Sequence, residues 1–399
     1  MSTVPPHDIA RAREAFDSLH GWLERSDFAG YENDDLLDSP LVRALTFKRQ
    51  PLRIAAVQIA KRSSLNLRKP LGVRKLRSTK GFAFMIKGYL LHHLSTRDDR
   101  HLSLVRAALD WLVEHASPGH SGLCWGNDFD FASRAGFFPK GLPTVVWTSH
   151  IQEAFDLAYR VLGNERDKSV TVSAGEFVLR DLENVAGADG ECIAYAPGIA
   201  LPIHNANLLG AAALLRSWRS CRKPEFRERA TAAIDWSAAR INSDGSWYYG
   251  DTPMLHWIDN HHTAYTLDSL CKAADILGEG AVGTDVIGRT FGFWETNFFR
   301  MDGAPKFRSG RTYPLDIQAA AQSIESFARY SVREPKALAM AWKVARWTLA
   351  AMRKNNGAFR YRIGRIGRNN LEPIHWAEAT MLSALGHLLY FSNPEARVV

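Results

Sequence analysis

Apolar positions recur along this chain in two distinct registers. Six segments, beginning near Gly81, Pro143, Pro202, Trp257, Tyr313 and Pro373, are apolar on most sides and rich in Ala and Gly, as in PTVVWTSHIQEAFDLAYRVLG and PIHNANLLGAAALLRSW. Such all-round apolarity predicts helices packed on both flanks. Between them lie six more polar stretches: Asp8 to Arg25, Leu102 to His115, Asn164 to Leu182, Glu225 to Ile241, Val282 to Asn297 and Pro335 to Arg353. Their apolar residues recur at three and four, which predicts amphipathic helices with one wet face. Prolines at or near the apolar starts (Pro143, Pro202, Pro314, Pro373) fit a first helical turn, where a missing N–H costs nothing.

The apolar starts are 55 to 62 residues apart, and the last five follow a turn carrying its own glycine: Gly122 in SGLCWG, Gly190 in DGECIAY, Gly245 in SDGSWYYG, Gly303 in MDGAPKF and Gly357 in NNGAFRY. A repeat of that length is two helices and two loops. No such pair buries its apolar face alone, so the pairs stack, and six of them close into a ring. The expected fold is all-α: an (α/α)6 toroid, or six-hairpin barrel, with inner and outer helical rings around a central cavity. Residues 1–399 read as a single toroid domain. Within it, 1–80 form a less regular N-terminal part that carries the first outer helix and a basic strip. Short aromatic runs such as SWYYG are expected to form small hairpins in the loops.

Composition narrows the setting. The start MSTVPPHDIARAREAF lacks the plan of a signal peptide, and no run reaches the roughly 20 apolar residues of a membrane span, so a cytoplasmic protein is expected. Cys124, Cys192, Cys221 and Cys271 are scattered without a CxxC, as free thiols would be. The net charge is +8, and Lys61 to Lys80 alone holds eight Lys or Arg and no acid. That strip is either a solvated connection or an attractor of acidic polymers and anionic headgroups. A smaller basic cluster follows at Arg360, Arg362, Arg365 and Arg368. Nucleic acid is not an expected partner, because no recognition motif or interleaved aromatic residues accompany the strip.

The first turns of the apolar helices are oddly polar: Trp147 with His150, His204 with Asn207, Asp259 with His262, Asp316 near Gln318, and His375 with Glu378. Four of these pairs are spaced i, i+3, on one helix face. Capping alone explains an Asp, but caps do not call for histidine at four of the starts. Histidines near neutrality suit proton transfer, and six converging helix N-termini favour an anionic ligand group. The turns add Trp125, Asp128, Asp130, Arg134 and Lys140 in unit two, and Trp247, Tyr248, Tyr249 and Asp251 in unit four. Aromatic faces beside Asp, Asn and His suit sugar rings, although the same aromatics also serve to plug a toroid end.

Three chemistries can use such a lining. Glycoside hydrolysis needs a carboxylate pair, such as Asp130 with Asp259. Uronate elimination or C5 epimerisation needs a base, an acid and a neutraliser for the substrate carboxylate. Metal chemistry is not expected, because neither His261 beside His262 nor a lone Cys124 gives an established ligand spacing. No cofactor is called for.

The turn DGSWYYG and the six inner helices resemble the α/α toroids of glycan lyases, epimerases and hydrolases, and more loosely those of terpene cyclases and protein prenyltransferases. No DxDD or DDxxD cluster supports the terpene reading. Longer runs, GLCWGNDFDFASRAGFFPKGLPTVVWTSHIQEAF, PIHNANLLGA and DGSWYYGDTPMLHWIDNHHTAY, resemble a bacterial family of exopolysaccharide and surface-glycan gene clusters. Its members often carry the label δ-aminolevulinic acid dehydratase, which does not fit a chain without alternating strands and helices. Residues Gly30 to Ser39 loosely follow its GYDPYDxLNS motif. Asp130, Arg134 and Lys140 fit its second-unit pattern, from which Asp128 departs, and Trp257 to Thr263 follow WIDNFHT with His261 in place of the aromatic.

The resemblance implies a toroid in a surface-glycan setting. It supplies no reaction; from the histidine, acid and aromatic lining, the expected activity is lyase or C5-epimerase chemistry on a uronate-containing glycan. His262 and His204 would form the proton-transfer pair, with Asp259 orienting a histidine. Asn205 and Arg134 would hold the substrate carboxylate, and Trp125, Trp247 and Tyr249 would stack on sugars. Asp128, Lys140, His150, Asn207, Asp251, Asn260, His261, Tyr313, Asp316, His375 and Glu378 complete the expected substrate lining. Expected partners are an acidic oligo- or polysaccharide and, through the basic strip, an inner-membrane surface or polysaccharide-assembly proteins. The alternatives are a glycoside hydrolase and a non-catalytic glycan-binding scaffold.

Overall fold

The computed structural model describes residues 4–133, 136–185 and 190–396. Fourteen α-helices follow in chain order: α1 (Pro6–Arg25), α2 (Pro40–Leu45), α3 (Gln50–Arg62), α4 (Thr79–Thr96), α5 (Leu102–Glu114), α6 (Val145–Leu162), α7 (Glu165–Arg180), α8 (His204–Cys221), α9 (Pro224–Ala238), α10 (Asn260–Leu277), α11 (Thr284–Phe298), α12 (Ile317–Tyr330), α13 (Ala337–Ala351) and α14 (Thr380–Phe391). A π-helical turn, Ile374–Ala379, leads into α14. Short strands β1 (Phe131–Ser133) and β2 (Gly136–Phe138) pair antiparallel, and β3 (Leu315–Asp316), β4 (Arg362–Ile363) and β5 (Arg368–Asn369) form a second small sheet in that order. The expected hairpin at SWYYG is absent among the described residues; there the backbone makes a single bridge between Ile203 and Gly250.

The apolar helices form the inner ring. α4 packs on α6, α6 on α8, α8 on α10, α10 on α12, α12 on α14, and α14 back on α4. The chain is thus an (α/α)6 toroid with α1, α5, α7, α9, α11 and α13 outside. Small residues allow the closure: a Cβ on Gly88 would lie 2.7 Å from the Leu382 carbonyl oxygen, and one on Gly386 would lie 2.5 Å from that of Gly88. Only glycine lets the backbones of α4 and α14 approach so closely.

The turn glycines explain the repeat. Gly245 has φ +86° and abuts the Arg289 carbonyl of α11, the outer helix of its own unit. Gly357, with φ +95°, abuts the Ser18 carbonyl of α1 instead. The N-terminal helix therefore completes the sixth hairpin, and α1 packs on α14.

Residues 26–80 lie across one end of the barrel. Tyr31 bridges Pro373, Gly30 bridges Leu76, and the Asn369 amide reaches the carbonyls of Lys61 and Ser63. The basic strip is consequently not a purely solvated connection. Arg68 is buried with its Nε 2.6 Å from Asp35 Oδ1 and 2.8 Å from the Glu32 carbonyl; Lys61 pairs with Asp34 at 2.6 Å, and Lys80 is buried. Acids at 32–35, remote in sequence, draw these cations inward. The four cysteines are free thiols, and no helix among the described residues is long and apolar enough to cross a membrane.

Candidate active site

Because every inner helix runs in the same direction, their first turns meet at one mouth. Rings from α4, α6, α10 and the π-helical turn touch in a closed circuit. The centroid distances are Phe84 to His150 5.0 Å, His150 to Tyr265 5.1 Å, Tyr265 to His261 6.2 Å, His261 to Trp376 5.5 Å, Trp376 to His375 6.0 Å and His375 to Phe84 6.1 Å. Lys80 Nζ sits 4.3 Å over the Trp147 ring, which itself lies 5.7 Å from His375. All of these residues are buried except Trp376, which is partly exposed. Yet both ring nitrogens of His150, Nε2 of His375, Nε1 of Trp147 and Oε1 of Gln318 have no hydrogen-bond partner among the described residues. Buried polar atoms are ordinarily paired, so this circuit is chemically unsatisfied.

Two histidines of the circuit carry carboxylates. Glu32, fully buried, accepts the His375 amide at 2.9 Å through Oε1 and places Oε2 3.7 Å from His375 Nδ1. Burial pushes the Glu32 carboxyl up to about 8, against the hydrogen bond from the His375 amide, and pulls Lys80 down to about 7 despite the nearby Glu32. On the other side Asp259 caps α10: Oδ1 accepts the His262 amide at 3.1 Å, and Oδ2 lies 2.7 Å from His262 Nδ1 and accepts Trp257 Nε1 at 3.1 Å. His261 Nδ1 is 3.2 Å from Asp259 Oδ1, off the line of a hydrogen bond. Burial alone would raise Asp259, but the His262 and His261 rings outweigh it and hold the carboxyl below its ordinary range. Burial, reinforced by His262, lowers His261 to about 3; burial with Lys80 puts His150 and His375 well below the ordinary histidine value. These imidazoles are neutral at pH 7 and available as proton acceptors.

Beneath the mouth the barrel is filled by charge. Lys87 Nζ lies 3.3 Å from Glu325 and 3.5 Å from Glu153; Lys272 lies 2.7 Å from Glu153, and His387 3.5 Å from Glu325. These residues, with Glu32, Lys80, Tyr265 and Trp376, were not singled out from sequence. The available signal was a lone charge inside an otherwise apolar inner helix, as at Lys87 in GFAFMIKGYLL.

Several expected lining residues face elsewhere. His204 is turned to outer helix α9, 3.4 Å from Ser237 Oγ and stacked on Trp236, and burial lowers it to about 4. Trp125 is fully buried with Nε1 on the Leu112 carbonyl, a plug between rings rather than an exposed sugar platform; Trp247 is buried with Nε1 on Thr290 Oγ1, although it also borders the narrow pocket of Asn205, Tyr249 and His262. Asn207 ties the Ile193 amide to the Ala233 carbonyl, and Asn260 ties Trp294 to the Lys306 carbonyl. Glu378 accepts the Phe359 amide with both oxygens, and burial raises it well above the ordinary range. Asp128 caps α4 through Thr79, and burial raises it to about 7; Asp130 accepts the Lys140 amide, with the Lys140 residue itself exposed. Asp251 is exposed beside Arg240, and Tyr313 is exposed. Asp316 caps α12 while bound to Arg362 and Trp376 Nε1. Arg134 lies outside the described residues.

Asn205, Tyr249 and His262 do come together, in a narrow pocket with Trp257 and Asp259 beside the circuit. Tyr249 stacks on Trp257 at 4.4 Å, and Asn205 Oδ1 is unpartnered among the described residues. One carboxylate oxygen of Asp259 and one ring nitrogen from each of His261 and His262 lie within 4.8 Å of one another, a donor set that a divalent ion accepts. Both oxygens of Asp259 already accept hydrogen bonds, from the His262 amide and from Trp257 Nε1, so a metal there would share the carboxylate with those donors.

No family model matches the sequence, and no curated protein sequence matches it, so the surface-glycan resemblance rests on its motifs alone. Solved structures do match. The cellobiose 2-epimerase of Bacillus thermoamylovorans superposes with a TM-score of 0.63 at 12% identity, covering 79% of this chain and 87% of its own. A GH76 α-mannanase of Bacteroides thetaiotaomicron gives 0.60 at 12%, covering 80% and 86%. A family 88 glycosyl hydrolase of Bacteroides vulgatus gives 0.56 at 10%, covering 78% and 91%. These likenesses identify the fold as the α/α toroid of sugar epimerases and glycoside hydrolases.

Proposed function

We propose that this chain is a carbohydrate-active enzyme that moves a proton at a sugar carbon, by epimerase or lyase chemistry. The observation that carries the reading is the pair of imidazole–carboxylate couples, His375 with Glu32 and His261 with Asp259, whose rings flank Trp376. A carbon next to a carbonyl or carboxylate, set against Trp376, loses its proton to one neutral imidazole. In epimerisation the other imidazole returns a proton to the opposite face; neutral in the free protein, it takes up that proton as negative charge from the bound substrate enters the site. In elimination it protonates the leaving oxygen instead. This couple replaces the pair of His262 with His204. His262, on the second oxygen of Asp259, becomes a positioning residue.

Lys80 supports the finer reading of an acidic glycan, such as a uronate of a surface polysaccharide. A substrate carboxylate beside it would favour the charged ammonium, and the ammonium would offset charge growing on that carboxylate. Hydrolysis by two carboxylates has less support, because Asp130, Asp259 and Asp316 are all committed to hydrogen bonds.

The test is solvent exchange. Neutral reducing oligosaccharides and uronate oligomers are incubated with the protein in D2O and analysed by mass spectrometry. Epimerisation should place one deuterium on the substrate carbon, elimination should instead give an unsaturated product that has lost that hydrogen, and His375→Asn and His261→Asn should each slow the reaction seen by about 100-fold or more. New reducing ends with neither exchange nor an unsaturated sugar would select the hydrolase; binding without turnover would select the scaffold.

A further inference from the structure

Seven of the thirteen large apolar side chains exposed among the described residues fall within one stretch of 27 residues: Leu41, Leu45, Phe47, Leu52, Ile59, Leu65 and Leu67. Several are extreme, with Phe47 72%, Leu65 69% and Ile59 65% exposed. Single exposed leucines need no explanation, but a cluster of this density does. The cluster has a common direction. Val42, Val57 and Ala60 from the same stretch, with Val73 just after it, point into one small core with Leu36 and Leu37. Leu41 and Leu45 are spaced i, i+4 on α2, and Leu52 and Ile59 are spaced i, i+7 on α3, on faces turned away from that core.

Charge selects the occupant. Residues 40–80 contain twelve Lys or Arg and no Asp or Glu. Arg43, Lys48, Arg49, Arg62, Lys69, Arg74 and Lys75 are exposed and make no ion pair among the described residues. No other stretch of this length among the described residues gathers so many cations without an acid, and elsewhere some outer-ring cations are paired, as Arg100 is with Asp17. A second copy of this chain would set the same seven cations against themselves across a two-fold axis. A polyanion in water would leave the leucines and isoleucine uncovered.

We infer that the face formed by α2, α3 and the loop to residue 75 docks on an anionic lipid surface, with the apolar side chains entering the headgroup boundary and the cations meeting the phosphates. This is peripheral attachment by an amphipathic layer, strengthened by two independent forces.

Cosedimentation with phosphatidylcholine–phosphatidylglycerol vesicles tests it. At about 0.1 M salt the full chain should pellet with the mixed vesicles and stay in solution with pure phosphatidylcholine, and raising the salt to about 0.5 M should release it. The Leu45→Ser, Phe47→Ser, Ile59→Ser triple variant should partition about tenfold more weakly at unchanged melting temperature, since all three side chains are exposed. Replacing Lys48, Arg49 and Arg62 with Gln should weaken binding to anionic vesicles similarly. No pelleting with anionic vesicles overturns the inference. So does a triple variant that binds as well as the parent, which would indicate charge alone, or a dimer in sedimentation equilibrium that the triple variant dissolves, which would indicate a second copy.

Discussion

Replacing Gly386 with alanine would test the closure of the ring at its seam. The added Cβ would lie 2.5 Å from the Gly88 carbonyl oxygen and 2.8 Å from its Cα, about 0.9 Å short of ordinary contact. These are backbone atoms of α4, so no rotamer change relieves them and the two helices must part. Overpacking of a tight core costs about 1–3 kcal/mol. Against that stands the usual helical gain of about 1 kcal/mol for Gly→Ala. A rigid backbone neighbour puts the cost at the upper end, so a net loss of about 2 kcal/mol is expected. Gly288→Ala in α11 is the control: it is exposed with nothing within 4 Å of a Cβ, and it should gain about 0.5–1 kcal/mol. Urea unfolding followed by circular dichroism reads both. A further arm is Gly88→Ala combined with Gly386→Ala, which should cost less than the two singles together, because one separation of the helices relieves both clashes. If Gly386→Ala gains as much as Gly288→Ala, α4 and α14 do not meet as described.

Three other outcomes follow from the buried charges. Glu325 is held near 2: burial would raise it, but the His387 ring and then Lys87 outweigh that, so its contribution is present above the ordinary carboxylate value near 4.5 and lost as pH falls towards 2. Unfolding free energy measured between about pH 6 and 3 should therefore drop more steeply in the parent than in Glu325→Gln, and parallel curves would refute the coupling. Glu32 has the opposite sign. With its folded pKa up at about 8, stability should fall as pH rises from 4.5 to 8, and Glu32→Gln should flatten that limb; an unchanged slope would place the titration elsewhere. Finally, dialysis against EDTA should leave proton exchange unchanged, since Asp259 already serves His262 and Trp257; loss of exchange restored by zinc would assign Asp259, His261 and His262 to a metal.

Helices were legible because amphipathicity and capping are local. The six apolar starts lie within a few residues of the observed inner helices, and Asp259 and Asp316 cap as their positions imply. The turn glycines were equally readable, since the repeat places each one where an outer helix crosses. At the site, the histidines at four starts marked the right end of the barrel, but their directions were not readable. The i, i+3 spacing puts His204 with Asn207 on one face without saying which face looks inward. In the structure that face meets Ser237 of α9. For the same reason Trp125 and Glu378 proved to be internal ties, whereas His261, placed one residue before His262, reached the circuit.

What the sequence by itself determined is the type and order of the twelve ring helices, though not α2 and α3, and the concentration of positive charge between residues 61 and 80. What only tertiary structure decided is how those pieces meet. α1 closes the sixth hairpin; Glu32 and Lys80, 48 residues apart, become neighbours at the mouth; and Arg68 and Lys61 turn inward while Phe47 and Ile59 stay outside. The physical reason is range. Periodicity and caps act within a turn or two of helix, whereas burial, and the pKa shifts that follow from it, depend on which distant backbone happens to exclude water.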